Sequence, residues 1–263
     1  MARLAYPWTP SCAARTLQRF ARLRLRLKVV ILDTETTSLR GQVIQVAAVG
    51  LDASLSRLFE YKQYWRTSAL IDPQAHAVHG ITQEMLQTRG QSPSMGLRKL
   101  QSLCGPSVVV AAHNVTFDVA RLQATAAAYD TTFDVPGGTF CTMRSAKGAC
   151  NLKTAHNRVK FPRNEELYHF LFPTGAALRG LHDALVDVRV TAANFVEGTR
   201  RQIWNPPFPR ALQPPALVVK AGADEEEDAL QKNDAGENVE APLPLQDFLD
   251  DESGVKRRKV NQS

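Results

Sequence analysis

No stretch of this chain approaches the roughly 18 consecutive apolar residues that a membrane-spanning helix requires, so any membrane contact is expected to be peripheral. Cysteine is scarce and scattered. Cys12, Cys104, Cys141 and Cys150 form no Cys-x-x-Cys pair, and no histidine stands close enough to complete a zinc spacing, so they read as reduced thiols of an intracellular protein. Acidic residues are missing from the whole beginning of the chain. The first 28 residues carry seven basic residues (Arg3, Arg15, Arg19, Arg22, Arg24, Arg26, Lys28), and Asp33 is the first acid. An apolar secretory core is also missing there. The segment therefore fits either an Arg-rich mitochondrial transit peptide, helical around Gln18 to Leu27, or a basic extension that grips nucleic acid.

What is present suits one sizeable α/β domain with appendages, since 263 residues at 44% hydrophobic content exceed the usual domain size of about 100 to 200 residues only modestly. Charge is divided along the chain. Residues 1–220 hold 27 Lys/Arg against 14 Asp/Glu, whereas residues 221–263 hold 5 against 12. A basic body suits a polyanionic partner, because cations that neutralise phosphates release condensed counterions.

Three organisational regions are expected: a basic extension over residues 1–27, a folded domain over 28–204, and a tail over 205–263. Val29 to Leu32 reads as a buried strand ending in Asp33. Gln42 to Leu51 and Leu58 to Tyr64 read as two further strands of an antiparallel meander, with Leu39-Arg40-Gly41 at the first turn. A helix at Gly96 to Leu103, a strand at Ser107 to Ala112 and an Ala-rich helix from Thr116 follow. Leu181, Ala184, Leu185, Val188, Ala192, Phe195 and Val196 then form one apolar stripe of a helix spanning Leu181 to Ile203. Asn205-Pro206-Pro207-Phe208-Pro209 and Pro214-Pro215 end the fold. The tail, acidic at Asp224 to Asp228, reads as disordered apart from a Leu/Phe segment at Leu243 to Leu249. Its Lys256-Arg257-Arg258-Lys259 cluster resembles a nuclear localisation signal, or is a chance basic cluster.

Three short motifs carry chemistry. Asp33-Thr34-Glu35 places two carboxylates on one face of a strand, which by itself is a common solvated strand end. His113-Asn114-Val115-Thr116-Phe117-Asp118 opens a helix after the second buried strand. A carboxylate there is also explained by the helix dipole, and Phe117 by the core. His182-Asp183-Ala184-Leu185-Val186-Asp187 opens the last helix. Asp187 falls at the border of the apolar stripe, Asp183 on the solvent side, and His182 would act from the segment before the first turn. The conjunction, in order and each on a suitable element, is stronger than any part.

With these residues the sequence resembles the DnaQ-like DEDDh exonucleases over about Lys28 to Ile203. Ile71-Asp72-Pro73 and His76-Ala77-Val78-His79-Gly80-Ile81-Thr82 are similar to that family's Val-His-Gly-Ile segment, and Phe140 to Met143 and Glu166 to Tyr168 to its intervening helices. The resemblance implies a ribonuclease H-like α/β fold, a mixed five-stranded sheet flanked by helices, whose fifth strand would fall between Thr131 and Val159. It implies 3′-to-5′ hydrolysis of nucleic acid to nucleoside 5′-monophosphates, single-stranded DNA favoured and RNA open. Asp33, Glu35, Asp118 and Asp187 would hold two divalent ions, Mg²⁺ or Mn²⁺, and His182 would activate the water. Thr34, Leu39, Val78, His79, Asn114 and Phe117 would contact the terminal nucleotides, Leu39 as a wedge and Phe117 by stacking. Hard oxygen donors agree with such ions, since four clustered carboxylates repel without cations. A polymerase or other protein could engage the tail. Two rivals stay open, an exoribonuclease and a non-catalytic nucleic-acid-binding scaffold. The compartment, nucleus or mitochondrion, is also open.

Overall fold

The structure, a computed structural model, describes residues 21–205. The expectations of a transit peptide up to residue 20, of a disordered tail and of a terminal localisation signal concern residues outside the described ones. Residues 21–26 are helical, and Leu27 is fully buried, so packing begins just ahead of the expected boundary at Lys28.

Five strands make one mixed sheet in the order β3-β2-β1-β4-β5, the sheet expected from the resemblance. Strands β1 (Val29–Thr36), β2 (Val43–Leu51) and β3 (Arg57–Tyr64) form the antiparallel meander. Strand β4 (Val109–Ala112) lies parallel to β1, and β5 (Thr139–Cys141) parallel to β4. Helices α1 (Pro73–His79), α2 (Gln83–Arg89) and α3 (Pro93–Gln101) lie between β3 and β4, and α4 (Val115–Ala128) between β4 and β5. Helices α5 (Thr142–Cys150), α6 (Asn164–Leu171) and α7 (Ala184–Arg200) follow. The fifth strand falls inside the expected stretch, although Phe140-Cys141 belongs to it and not to a helix. Among the described residues no helix is long and apolar enough to cross a membrane. Cys104, Cys141 and Cys150 are free thiols.

Alternation along β1 divides the core. Val30 and Leu32 meet Leu97 and Leu100 of α3 and Leu122 and Ala126 of α4 on one face. Val29 and Ile31 meet Leu167 and Leu171 of α6 and Ala184, Val188, Ala192 and Phe195 of α7 on the other. The predicted stripe of the last helix is therefore its core face. β1 runs on past Asp33 to Thr36 because β2 covers it throughout, with Glu35 opposite Gln45 and Thr36 opposite Val43. Its parallel neighbour β4 stops at Ala112, so the far end of β1 opens beside the start of α4.

Edge strand β3 is joined to α7 by charge. Arg189, 7% exposed, grips the Glu60 carboxylate with Nε at 3.2 Å and Nη2 at 2.7 Å. Removing one partner of such a pair strands the other charge in a poorly hydrated place. Glu60→Ala should lower stability by about 3 kcal/mol, read by urea denaturation, and the double replacement Glu60→Leu/Arg189→Leu should recover most of that loss. Equal stability of Glu60→Ala and the parent would contradict this role.

Candidate active site

The face of β1 that carries Val29 and Ile31 continues through Asp33 and Glu35, and so looks toward α7. Asp187 stands in the first turn of that helix. Carboxylate oxygens of Asp33, Glu35 and Asp187 lie within 4.8 Å of one another. Asp118 arrives from the other side, in the first turn of α4, and is buried. The Thr34 hydroxyl donates to its Oδ1 at 2.9 Å, so the strand that bears Asp33 on one face holds Asp118 with the other.

Burial, with crowding behind it, shows in the proton affinities. Burial, then the charges of Asp118, Asp187 and Glu35, holds the Asp33 carboxyl well above the usual range. Glu35 is pushed up to about 8 by burial and by the charges of Asp187, Asp183 and Asp118. Burial raises Asp118 to about 7 against the opposing hydrogen bond from Thr34. Asp187 is raised by burial, with the His182 backbone N–H and the His182 charge acting the other way.

The start of α7 differs from expectation in an informative way. The helix begins at Ala184, three residues after Leu181, because Gly180 (φ 70°) and His182 (φ 68°) are left-handed and Asp183 is the N-cap. Asp183 accepts from Leu185 N–H at 3.0 Å and pairs with Lys62, so it is a structural cap and not a solvated side chain. The turn leaves the His182 side chain exposed and aims its backbone N–H at Asp187 Oδ2, 2.6 Å away. A left-handed non-glycine residue is uncommon, and here it fixes the nearest carboxylate.

Sequence reasoning missed Gln45. It is 1% exposed, its Oε1 accepts from Ala184 N–H at 2.9 Å, and its Nε2 is buried without a partner beside the cross-strand neighbour Glu35. One glutamine inside the apolar run Val43–Leu51 is the signal that could have found it. Asn164 is a second such residue, its amide donating to Asp187 O at 3.1 Å and Thr191 Oγ1 at 2.9 Å.

The residues expected at the terminal nucleotide divide into two sets. Leu39 (84% exposed) and Val78 (54%) are open apolar side chains, Asn114 is exposed and Phe117 half-buried. Leu70, 87% exposed, joins this rim, since Asp72 N–H donates to Thr37 O at 2.8 Å and brings its loop to the end of β1. Thr34 and His79 have their side chains engaged within the protein. The Thr34 hydroxyl is buried and taken up by Asp118. His79 receives Ile81 N–H on Nδ1 at 3.0 Å, so Nε2 carries the hydrogen and donates to Thr36 O at 3.2 Å. Nδ1 thus closes the turn after α1, and Nε2 ties that turn to the end of β1.

A divalent cation fits this donor set. The donors are all carboxylate oxygens, converging from two elements, and their mutual repulsion favours whatever neutralises them.

The family profile described as Exonuclease (RNase_T) matches residues 30–195. DNA polymerase III subunit epsilon of Escherichia coli is 24% identical over 188 residues, covering 66% of this chain and 72% of that protein. The same subunit of Salmonella typhimurium is 25% identical over the same length and shares. Among solved structures, exonuclease X in complex with 5′ overhanging duplex DNA matches with TM-score 0.51 at 25% identity, over 67% of this chain and 94% of its own. E. coli exonuclease I in complex with a dT13 oligonucleotide matches with TM-score 0.57 at 18% identity, over 66% of this chain. That likeness is one of fold, and the chain spans only 41% of that enzyme.

Glu35 and Asp118 hold protons up to about 8 and about 7 when folded, against ordinary values of 4.5 and 3.8. The folded state therefore binds more protons across that interval, so the contribution of these two groups to metal-free stability is full below about pH 4 and is lost as pH rises through 7 and 8. Melting in EDTA should show this decline, and Asp118→Asn should flatten it; a melting temperature that rises over the interval would contradict the site. Gln45→Leu leaves the Ala184 N–H unpaired and should lower stability by about 1–3 kcal/mol, with weakened Mn²⁺ binding, while Gln45→Glu keeps the acceptor.

Proposed function

Since the chain belongs to the DnaQ-like DEDDh exonucleases of the ribonuclease H-like superfamily, we propose that it removes nucleotides from the 3′ end of DNA as nucleoside 5′-monophosphates, using two divalent ions, Mg²⁺ or Mn²⁺. The observation that carries this reading is the convergence of the Asp33, Glu35 and Asp187 oxygens within 4.8 Å, with Asp118 tied beside them by Thr34. When bound, such ions polarise water and stabilise charge on the leaving oxygen. Asp33, Glu35 and Asp187 would hold them, and Asp118 would complete the set.

The remaining work falls to this chain's own side chains. His182, exposed at the head of α7, would take a proton from the attacking water as its oxygen bonds to phosphorus and the bond to the 3′ oxygen breaks. The exposed Leu39, Leu70 and Val78 offer an apolar rim for the terminal base, with Phe117 as a stacking partner. The DNA bound in the exonuclease X structure supports DNA as the polymer, and kinship to a polymerase subunit supports work alongside a polymerase.

The test incubates the protein with 5′-labelled single-stranded DNA or matched RNA, in Mg²⁺ or in EDTA. Stepwise shortening from the 3′ end, faster on DNA, abolished by EDTA and by Asp33→Ala, is expected. His182→Ala should lower kcat by about 10²- to 10⁴-fold while leaving DNA binding intact. Binding of ends without shortening would favour a scaffold, and faster shortening of RNA would reassign the polymer.

A further inference from the structure

Between Asp134 and Glu165 the chain has no acidic residue and six basic ones, Arg144, Lys147, Lys153, Arg158, Lys160 and Arg163. Within that stretch residues 151–161 fold into a small antiparallel hairpin. Lys153 pairs with Val159, Lys160 N–H donates to Leu152 O at 2.9 Å, and Thr154 N–H donates to Arg158 O at 2.8 Å across a turn at Asn157 (φ 57°). Lys160 pairs with Glu166, and Arg163 with Glu165 and Glu166. Lys153 and Arg158 do not; both are exposed, and neither has an ion pair among the described residues. Phe161 is 44% exposed, with the Lys147 ammonium 4.5 Å from its ring centre.

The hairpin is fixed to the active-site elements at its root. His113, immediately before Asn114 and the start of α4, contacts Pro162 O through Nε2 at 2.9 Å and Thr142 Oγ1 through Nδ1 at 3.1 Å. Two residues beyond Pro162, Asn164 holds the carbonyl of Asp187. The arm thus springs from between the element that presents Asp118 and the one that presents Asp187. From Pro162 to Arg158 an extended chain reaches about 14 Å, or about four steps at the 3.4 Å spacing of a fully stacked strand and fewer of an extended one.

We propose that this hairpin is a second grip on the substrate, holding the sugar-phosphate backbone several nucleotides away from the 3′ end, with Lys153 and Arg158 on phosphates and Phe161 against a base or sugar. Unpaired cations interleaved with an exposed ring suit single-stranded nucleic acid, and a site made of carboxylates needs its attraction for a polyanion supplied from nearby. The inference rests on the exonuclease reading for its substrate, but binding can be measured without cleavage.

The experiment compares the parent with Lys153→Ala/Arg158→Ala, with Lys153→Glu/Arg158→Glu and with Phe161→Ala. Fluorescence anisotropy in EDTA reports the affinity for 5′-labelled single-stranded DNA of about four and about fifteen nucleotides, lengths chosen on either side of that reach. On the longer strand the alanine pair should weaken binding several-fold and make the slope of log affinity against log salt shallower by about 1.4, for two lost phosphate contacts. Charge reversal should weaken it further. The short strand should bind all variants alike. Equal losses on both lengths, or an unchanged salt slope, would overturn the grip. Should the parent shorten no strand yet bind long DNA in an arm-dependent way, the grip stands and the exonuclease reading falls. Normal shortening with arm variants indistinguishable from the parent leaves the exonuclease standing and removes the grip.

Discussion

Carboxylates gathered in a crevice repel one another and lose their hydration, and both effects raise the energy of the ionised form. In this chain Asp33, Glu35, Asp118 and Asp187 are gathered so, and each has its proton affinity raised, with burial the first cause and the neighbouring carboxylates adding to it at Asp33, Glu35 and Asp187. A fold that holds them together in spite of this must restrain each one by other bonds, and it gains most when a doubly charged cation replaces the missing hydration. Much of the architecture around the site can be understood from that requirement.

The restraint comes from a strand used on both faces. β1 presents Asp33 and Glu35 toward α7 and Thr34 toward α4, so one backbone sets the spacing of the Asp33 and Glu35 carboxylates and ties down that of Asp118. α7 is held against the sheet at several points. Gln45 receives the N–H of Ala184, Lys62 pairs with the cap Asp183, and Glu60 pairs with Arg189. The left-handed His182 then turns its N–H onto Asp187 and leaves its side chain outside. These contacts join β2, β3 and α7 into the frame that fixes Asp187, which otherwise would be free to move away from Asp33 and Glu35.

Periodicity made much of this readable beforehand. Apolar runs marked β1, β2 and β4, the stripe Ala184-Val188-Ala192-Phe195 marked the core face of α7, and the three acidic motifs stood on strand and helix starts as a shared site requires. What escaped had weaker local signals. β5 has three residues, too few for a period to show, and the start of α7 was set by a cap and two left-handed residues and not by the stripe. The parts played by Thr34, His79 and Gln45 depend on partners 84, 43 and 139 positions away, which no local pattern contains. The hairpin at residues 151–161 was hidden differently, since its basic character was visible but its anchoring between the two motif-bearing elements was not.

On the proposed function, the central event at this site is the replacement of carboxyl protons by divalent cations. Calorimetric titration of Mn²⁺ into the metal-free protein near pH 7, repeated in two buffers of different ionisation enthalpy, measures the protons released. With Glu35 near 8 and Asp118 near 7, release of about one proton or more per protein is expected, falling as pH is raised above 8. Binding with no proton release, or no binding at all, would contradict it.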